Sequence, residues 1–459
     1  MDYVFYDLET SGISPEYDQP LQFAAIRTDE NFAEKERVNL RCRLAPHILP
    51  SPQALLVTGV SPAQLTDTSL PTLLEFAEKL SELIKTWSPA IWTGYNSMKF
   101  DEEFLRQCFY QNLIPDVYAT QFHGNTRFDI LPAVYAVRTR TPDTLIWPNN
   151  DQGRTVFKLD QLAPTNGFTS HNAHDALGDV EATIHIARLI ASKAPDLWAE
   201  LLDNAHKANV QSKLETFHPQ ELVVRFGGGE PRTYVGCFCG YSAGNKSQAG
   251  FFDLEAADPS DFLNADDDQL FSAVDASPKI IRGIATNKAP ALLNTRNPSN
   301  EILRRAKLIS EAPEFQGRVG EAMARRFLDE EDRLQRPVEK QIYGSFYSAS
   351  DKNLLEEFHS SEWSRRGEIV SNLSDPRLRQ LGRRIVAFYR PDLLSKNDLA
   401  KFRDYVREKW LMPVETISEW TTLEKVNAEL RAMSSEGLDN QELLKELREF
   451  YWGLEQQVI

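Results

Sequence analysis

The chain opens on VFYDLETSG, in which Asp7 and Glu9 stand two positions apart in an otherwise largely apolar run. A β-strand sends alternate side chains to one face, so this spacing predicts two carboxylates side by side, with Leu8 turned away. Like charges held that close repel, and a cation between them relieves the repulsion. The pair is therefore a candidate metal site, although one D-x-E triplet carries little signal in a chain with 67 acidic residues.

Three later residues give the pair company. Asp101, in TGYNSMKFDEEFL, opens a predicted helix just after a strand closed by Asn96. An aspartate there can cap the helix, or it can reach a site at the sheet edge. In NAHDALGDVEA, His174 precedes a second helix and Asp179 lies five residues on, inside it; His171 reads as exposed and Asp175 as the helix cap. A helix holds Asp179 rigidly, while His174 can approach a bound water. Each residue alone has an ordinary explanation as a cap or a surface group. Together, four carboxylates and a histidine can hold two divalent ions roughly 3.5 to 4 Å apart across a scissile phosphate. A neutral His174 then takes the proton from the attacking water. Oxygen donors select hard ions, so magnesium or manganese is expected and zinc is not.

The elements that must position these residues follow from the hydrophobic pattern. VFYDLE, LQFAAIRTD and RVNLRCRLA, joined by short polar turns, predict three strands in an antiparallel meander. SLPTLLEFAEKLSELIKTW predicts a helix, with Pro71 suited to its first turn, followed by the strand AIWTGYN and the helix FDEEFLRQCFYQNL. Such an order suggests a mixed sheet flanked by helices, as in ribonuclease H-like nucleases. DALGDVEATIHIARLIASK is helical in pattern, with Leu177, Val180, Ile184, Ala187 and Leu189 facing a core and Pro195 marking its end. From about 215 to 290 short strands separated by Gly, Asn and Pro turns predict a small β-barrel or sandwich. Residues 300 to 330, and nearly all of the tail from about 345, read as helix.

Composition narrows the class. At 459 residues the chain should bury two or three cores. Hydrophobic residues at 41% and charged residues at 26% fit a soluble globular protein. With no membrane-length apolar run and an acidic MDYVFYDLE start, the expected address is the cytoplasm. Cys42, Cys108, Cys237 and Cys239 are expected to be reduced and mostly buried. A net charge of −16 argues at first against a nucleic-acid partner, yet the positive residues cluster. Arg377, Arg379, Arg383, Arg384 and Arg390 stand in a row, and Arg304, Arg305 and Lys307 form a second group. Each cluster is either a solvated helix face or a phosphate-contacting surface.

The order DLET, NSMKFD, NAHDALGD resembles the DEDD superfamily of 3′-to-5′ exonucleases, in the subclass with histidine five residues before the last aspartate (DEDDh). Within it the chain looks like the bacterial exonuclease I family. QPLQFAAIRTD, VTGVSP, GYNSMKFDEEFLRQCFYQN, NTRFDIL, IWPNNDQG, NKAPAL and IYGSFYSASDK carry the likeness, closely over residues 1 to 190 and more loosely beyond. The resemblance implies an α/β ribonuclease H-like exonuclease domain (1–195), an SH3-like β-rich middle domain (196–340) and an α-helical C-terminal domain (345–459), which together embrace single-stranded DNA. It implies Asp7, Glu9, Asp101 and Asp179 as ligands of two Mg²⁺ ions, with Mn²⁺ able to substitute, and His174 as general base. The activity it implies is release of 5′-mononucleotides from single-stranded DNA 3′ ends in DNA repair and recombination, by a monomer. Lys99, Asn125, Arg127, Lys288, Tyr343, Arg377, Arg383 and Arg384 become candidate DNA contacts, and Phe128, Trp147, Phe346 and Tyr347, with Tyr343, candidate stacking partners. Arg138, in VYAVRT, becomes a candidate contact for the acidic C-terminal tail of single-strand DNA-binding protein. RPDLLS looks shorter than the family's loop. An exoribonuclease or proofreading subunit would use the same acids, whereas a non-catalytic DNA clamp would need a broken catalytic set, which is not seen.

Overall fold

The structure, a computed structural model, describes residues 1–169, 176–326, 336–413, 418–435 and 441–458. The first sheet has the order β3-β2-β1-β4-β5, built from β1 (Asp2–Thr10), β2 (Pro20–Thr28), β3 (Glu34–Arg41), β4 (Ala90–Gly94) and β5 (Thr126–Asp129). The first three strands form the expected antiparallel meander, and β4 and β5 join parallel to β1. The ribonuclease H-like expectation holds.

Both faces of this sheet are covered. Val4, Tyr6 and Leu8 pack beneath the Leu73–Trp87 and Asp101–Gln111 helices, whereas Tyr3 and Phe5 pack beneath the Ile130–Arg140 and Ala176–Lys193 helices. Asp7 and Glu9 share the odd-numbered face with Tyr3 and Phe5, which is the face that the Ala176–Lys193 helix crosses. Val180, Ile184 and Ala187 of that helix are buried as the periodicity predicts, with Leu177 and Leu189 at the margin of the core.

The middle of the chain forms a second, antiparallel sheet in the order β10-β6-β7-β8-β9. Its strands are β6 (Gln220–Val224), β7 (Arg232–Ser242), β8 (Asn245–Asp253), β9 (Ile281–Ala285) and β10 (Leu292–Asn294). Four of them match predicted strands; three-residue β10 is too short to show an alternation. Helices Asn300–Ser310 and Pro313–Arg325 follow, and the C-terminal region is helical: Ala349–Ser360, Trp363–Asn372, Pro376–Tyr389, Lys396–Leu411, Leu423–Ser435 and Gln441–Val458. All four cysteines are buried free thiols. Among the described residues, no helix is long and apolar enough to cross a membrane.

Candidate active site

β1 outruns its parallel neighbour: β4 pairs with it only from Asp2 to Phe5, so Asp7 and Glu9 lie past the end of that ladder. On the other side they are opposite Ala24 and Gln22 of β2. Asp179 comes from the first turn of the Ala176–Lys193 helix. One carboxylate oxygen from each of Asp7, Glu9 and Asp179 lies within 4.8 Å of the other two. Three acids separated by up to 172 residues thus converge, and sequence pattern had singled out all three.

Asp101 takes a different position from the helix cap considered above. It is itself the first helical residue, buried, and its Oδ1 accepts the backbone N–H of Leu8 at 3.0 Å. The carboxylate that follows the β4 turn is therefore fastened to the strand carrying Asp7 and Glu9. Gly94 permits that turn, because a Cβ there would lie 2.6 Å from the Tyr6 carbonyl oxygen and 2.9 Å from Ser97 Cβ. Asp129, unremarked in the sequence, fixes the loop leading to Asp101: it accepts the N–H groups of Asn96 (2.9 Å), Met98 (3.1 Å) and Leu131 (3.0 Å). An aspartate just before the apolar run ILPAV was the available signal for that cap. His174, with its neighbours His171 and Asp175, lies outside the described residues.

The electrostatics mark the same place. Burial pushes the Asp7 carboxyl well above its ordinary range, and the charges of Asp101, Glu9 and Asp179 add to the shift. Burial also raises Asp101, against the Leu8 N–H and its own N–H, which favour the charged form. Burial and mutual repulsion thus oppose the charged forms of Asp7 and Asp101, and a counter-charge beside them relieves both. An all-oxygen donor set of excess negative charge, recessed yet reachable, fits a hard divalent cation.

The candidate DNA contacts divide by exposure. Lys99, Lys288, Tyr343 and Arg383 are exposed. Asn125 is buried, bonding Ala90 N, Ser88 Oγ and the Ala119 carbonyl. Arg127 is buried against Glu102 at 3.0 Å, and Arg377 against Asp375 at 2.6 Å. Arg384 is half-buried, 2.7 Å from Glu339. This placement is at odds with direct phosphate contact for these four, since their polar atoms are already engaged inside the protein. Phe128 is likewise a core residue, with its ring 5.4 Å from that of Trp198. Phe346 and Tyr343 remain exposed and, with Tyr347, line a cavity of about 740 Å³. Arg138 lies 5.2 Å over the Trp147 ring and 3.1 Å from the Glu230 carboxylate.

Comparison with known proteins is consistent with this geometry. A family model described as Exonuclease matches residues 4–187, and one described as Exonuclease I C-terminal domain matches residues 336–454. Exodeoxyribonuclease I of Escherichia coli is 31% identical over 376 residues, spanning 76% of this chain and 77% of the relative. The chain belongs to the exodeoxyribonuclease I family. A relative of the same name from Buchnera aphidicola is 28% identical over 399 residues, 83% of this chain and 82% of its own. The likeness extends to full-length structure. E. coli exonuclease I in complex with a dA16 oligonucleotide superposes with a TM-score of 0.82 at 25% identity, covering 100% of both chains. Exonuclease I from Methylocaldum szegediense gives 0.83 at 25% identity over 99% of each chain. A structure of SSB/exonuclease I in complex with an inhibitor gives 0.82 at 26%, covering 100% of this chain and 99% of that one.

Proposed function

We propose that this enzyme hydrolyses single-stranded DNA from the 3′ end, releasing 5′-mononucleotides in DNA repair and recombination, as a cytoplasmic monomer. The observation that carries this reading is the convergence of Asp7, Glu9 and Asp179 oxygens within 4.8 Å, with Asp101 fastened beside them. Asp7, Glu9, Asp101 and Asp179 would hold two magnesium ions, with manganese as a substitute. When bound, such ions supply Lewis acidity and neutralise charge at the scissile phosphate. The strand and the two helices orient the carboxylates. His174, five residues before Asp179, takes the proton of the attacking water at an imidazole nitrogen. Exposed Lys99, Lys288 and Arg383 lead the backbone toward the site, and Tyr343, Phe346 and Tyr347 offer rings to the bases. Arg138, stacked on Trp147 and paired with the half-exposed Glu230, would exchange that carboxylate for the acidic tail of single-strand DNA-binding protein, in line with the SSB/exonuclease I neighbour.

The test follows end-labelled single-stranded DNA, duplex DNA and RNA, with magnesium or chelator. Single-stranded DNA should shorten from its 3′ end only with metal. Asp179→Ala should still bind the strand but lose about a thousandfold or more of turnover, since a metal ligand worth several kcal/mol of transition-state stabilisation is gone. Unchanged turnover in that variant would sink the assignment.

A further inference from the structure

The three consecutive acids Asp101, Glu102 and Glu103 turn in three directions. Asp101 grips the backbone of β1 at Leu8. Glu103 reaches outward to Lys288 Nζ, 3.4 Å away on the β9–β10 connection, and accepts the hydroxyl of Tyr343. Glu102 points inward and is only 1% exposed. Its Oε1 accepts the Tyr6 hydroxyl at 2.8 Å; its Oε2 accepts Thr120 Oγ1 at 3.1 Å and Arg127 Nη1 at 3.0 Å, with Arg106 Nη2 at 3.6 Å. Arg127, on β5 and 3% exposed, gives its other terminal nitrogen to the Asn287 carbonyl at 2.9 Å. Phe100 supplies no side-chain cap to this helix.

We propose that Glu102 and Arg127 are positioning residues: their buried pair fixes where Asp101 sits and ties that position to the seating of the second sheet. A buried ion pair is poor evidence of stabilisation, because neutral groups of the same shape often serve as well. What this pair supplies is register. Glu102 holds the helix start to Tyr6, next in sequence to Asp7, while Arg127 spans from β5 to the β9–β10 connection. A shift of the second sheet pulls on Arg127, then Glu102, and so on the adjacent Asp101. Metal ligands need such support, and loss of a supporting partner costs about 10- to 100-fold in metal affinity.

The proposal rests on reading Asp101 as part of the metal site, so the experiment separates the two. Mn²⁺ binding to chelator-stripped protein is followed by the resonance of free Mn²⁺, with thermal melting alongside. Asp101→Asn tests the site itself. The paired change Glu102→Gln with Arg127→Met removes both charges while keeping the outline of Glu102 and the unbranched stem of Arg127; it should retain melting behaviour yet weaken Mn²⁺ binding about tenfold or more. Arg127→Lys keeps a charge near Glu102 but loses the fork to Asn287, and should weaken binding to an intermediate degree without lowering DNA affinity in chelator. If Asp101→Asn leaves Mn²⁺ binding intact, the site reading fails. If Asp101→Asn loses Mn²⁺ while both Arg127 variants bind it within about twofold of wild type, the positioning role alone is overturned. Losses that merely follow the melting temperature overturn it equally.

Discussion

Asp7 bears the electrostatic tension of the site, being crowded by Asp101, Glu9 and Asp179 as well as by burial. Its folded-state pKa is raised, so its contribution to stability is full below the unfolded carboxylate range and is lost as pH rises through the folded value. Near pH 7 the metal-free protein therefore suffers a penalty that a cation removes. Magnesium at a hundred times its dissociation constant should add about 2.7 kcal/mol. Asp7→Asn should melt higher than wild type in chelator and gain far less from magnesium; identical melts in both conditions would count against a cation site here. Asp7, Glu9 and Asp179 were legible in the sequence because the chemistry demands those residue types in that order. Nothing in DEEF tells which of three consecutive acids turns inward, so Glu102 was not legible. The ion pairs of Arg377, Arg384 and Arg390 were not legible for the same reason. Their partners, Asp375, Glu339 and Asp392, stand outside the row or just past it, and which of them folds back onto an arginine is decided by packing.

At the scale of elements, the connection from β1 to β2 must hold Glu9 at the sheet end, and Asp18 organises it. Asp18 accepts the Ser14 N–H at 2.9 Å and the Ser11 hydroxyl at 3.3 Å, and its carboxylate fills the space where a Gly12 Cβ would stand, 2.2 Å away. Burial pushes Asp18 up to about 6, opposed by those two hydrogen bonds. The raised value means that its stabilisation is complete below about pH 4 and lost as pH rises through 6. A shift of that size corresponds to about 3 kcal/mol. Asp18→Asn, which does not titrate, should gain on wild type by about that amount between pH 4 and pH 7 in urea unfolding. A difference constant with pH would show that Asp18 ionises freely. The strands flanking this connection were legible from alternation, as were the long helices from their period. β5, with four residues, is too short to register, and the Ile130–Arg140 helix is marked only by the apolar run after its capping aspartate, although both are needed to seat Asp129.

At the scale of the whole molecule, the length of the chain predicts separate cores, and the structure joins them. Tyr6 and Leu8 of β1 share one core with Ile342, Leu355, Leu378 and Ile385 of the C-terminal region. Leu21, Leu49 and Leu55 share another with Val406, Trp410, Leu447 and Tyr451. Tyr451 donates its hydroxyl to the Pro50 carbonyl at 2.8 Å, and Tyr110 donates to that of Val338 at 2.8 Å. Long-range packing of this kind leaves no periodic trace, since each face is merely apolar until its partner is known. Its consequence is cooperativity. Elements that share a core cannot unfold separately without exposing the apolar surface of the other, at about 25 cal/mol for each Å². Amide exchange followed by mass spectrometry across a urea series should therefore open β1 and the Pro376–Tyr389 helix with the same free energy and the same denaturant dependence. A C-terminal region that opens first, leaving β1 protected, would mean that the helices are only docked onto the catalytic sheet. With one shared opening, the strand that carries Asp7 and Glu9 is formed only in molecules whose C-terminal helices are already in place.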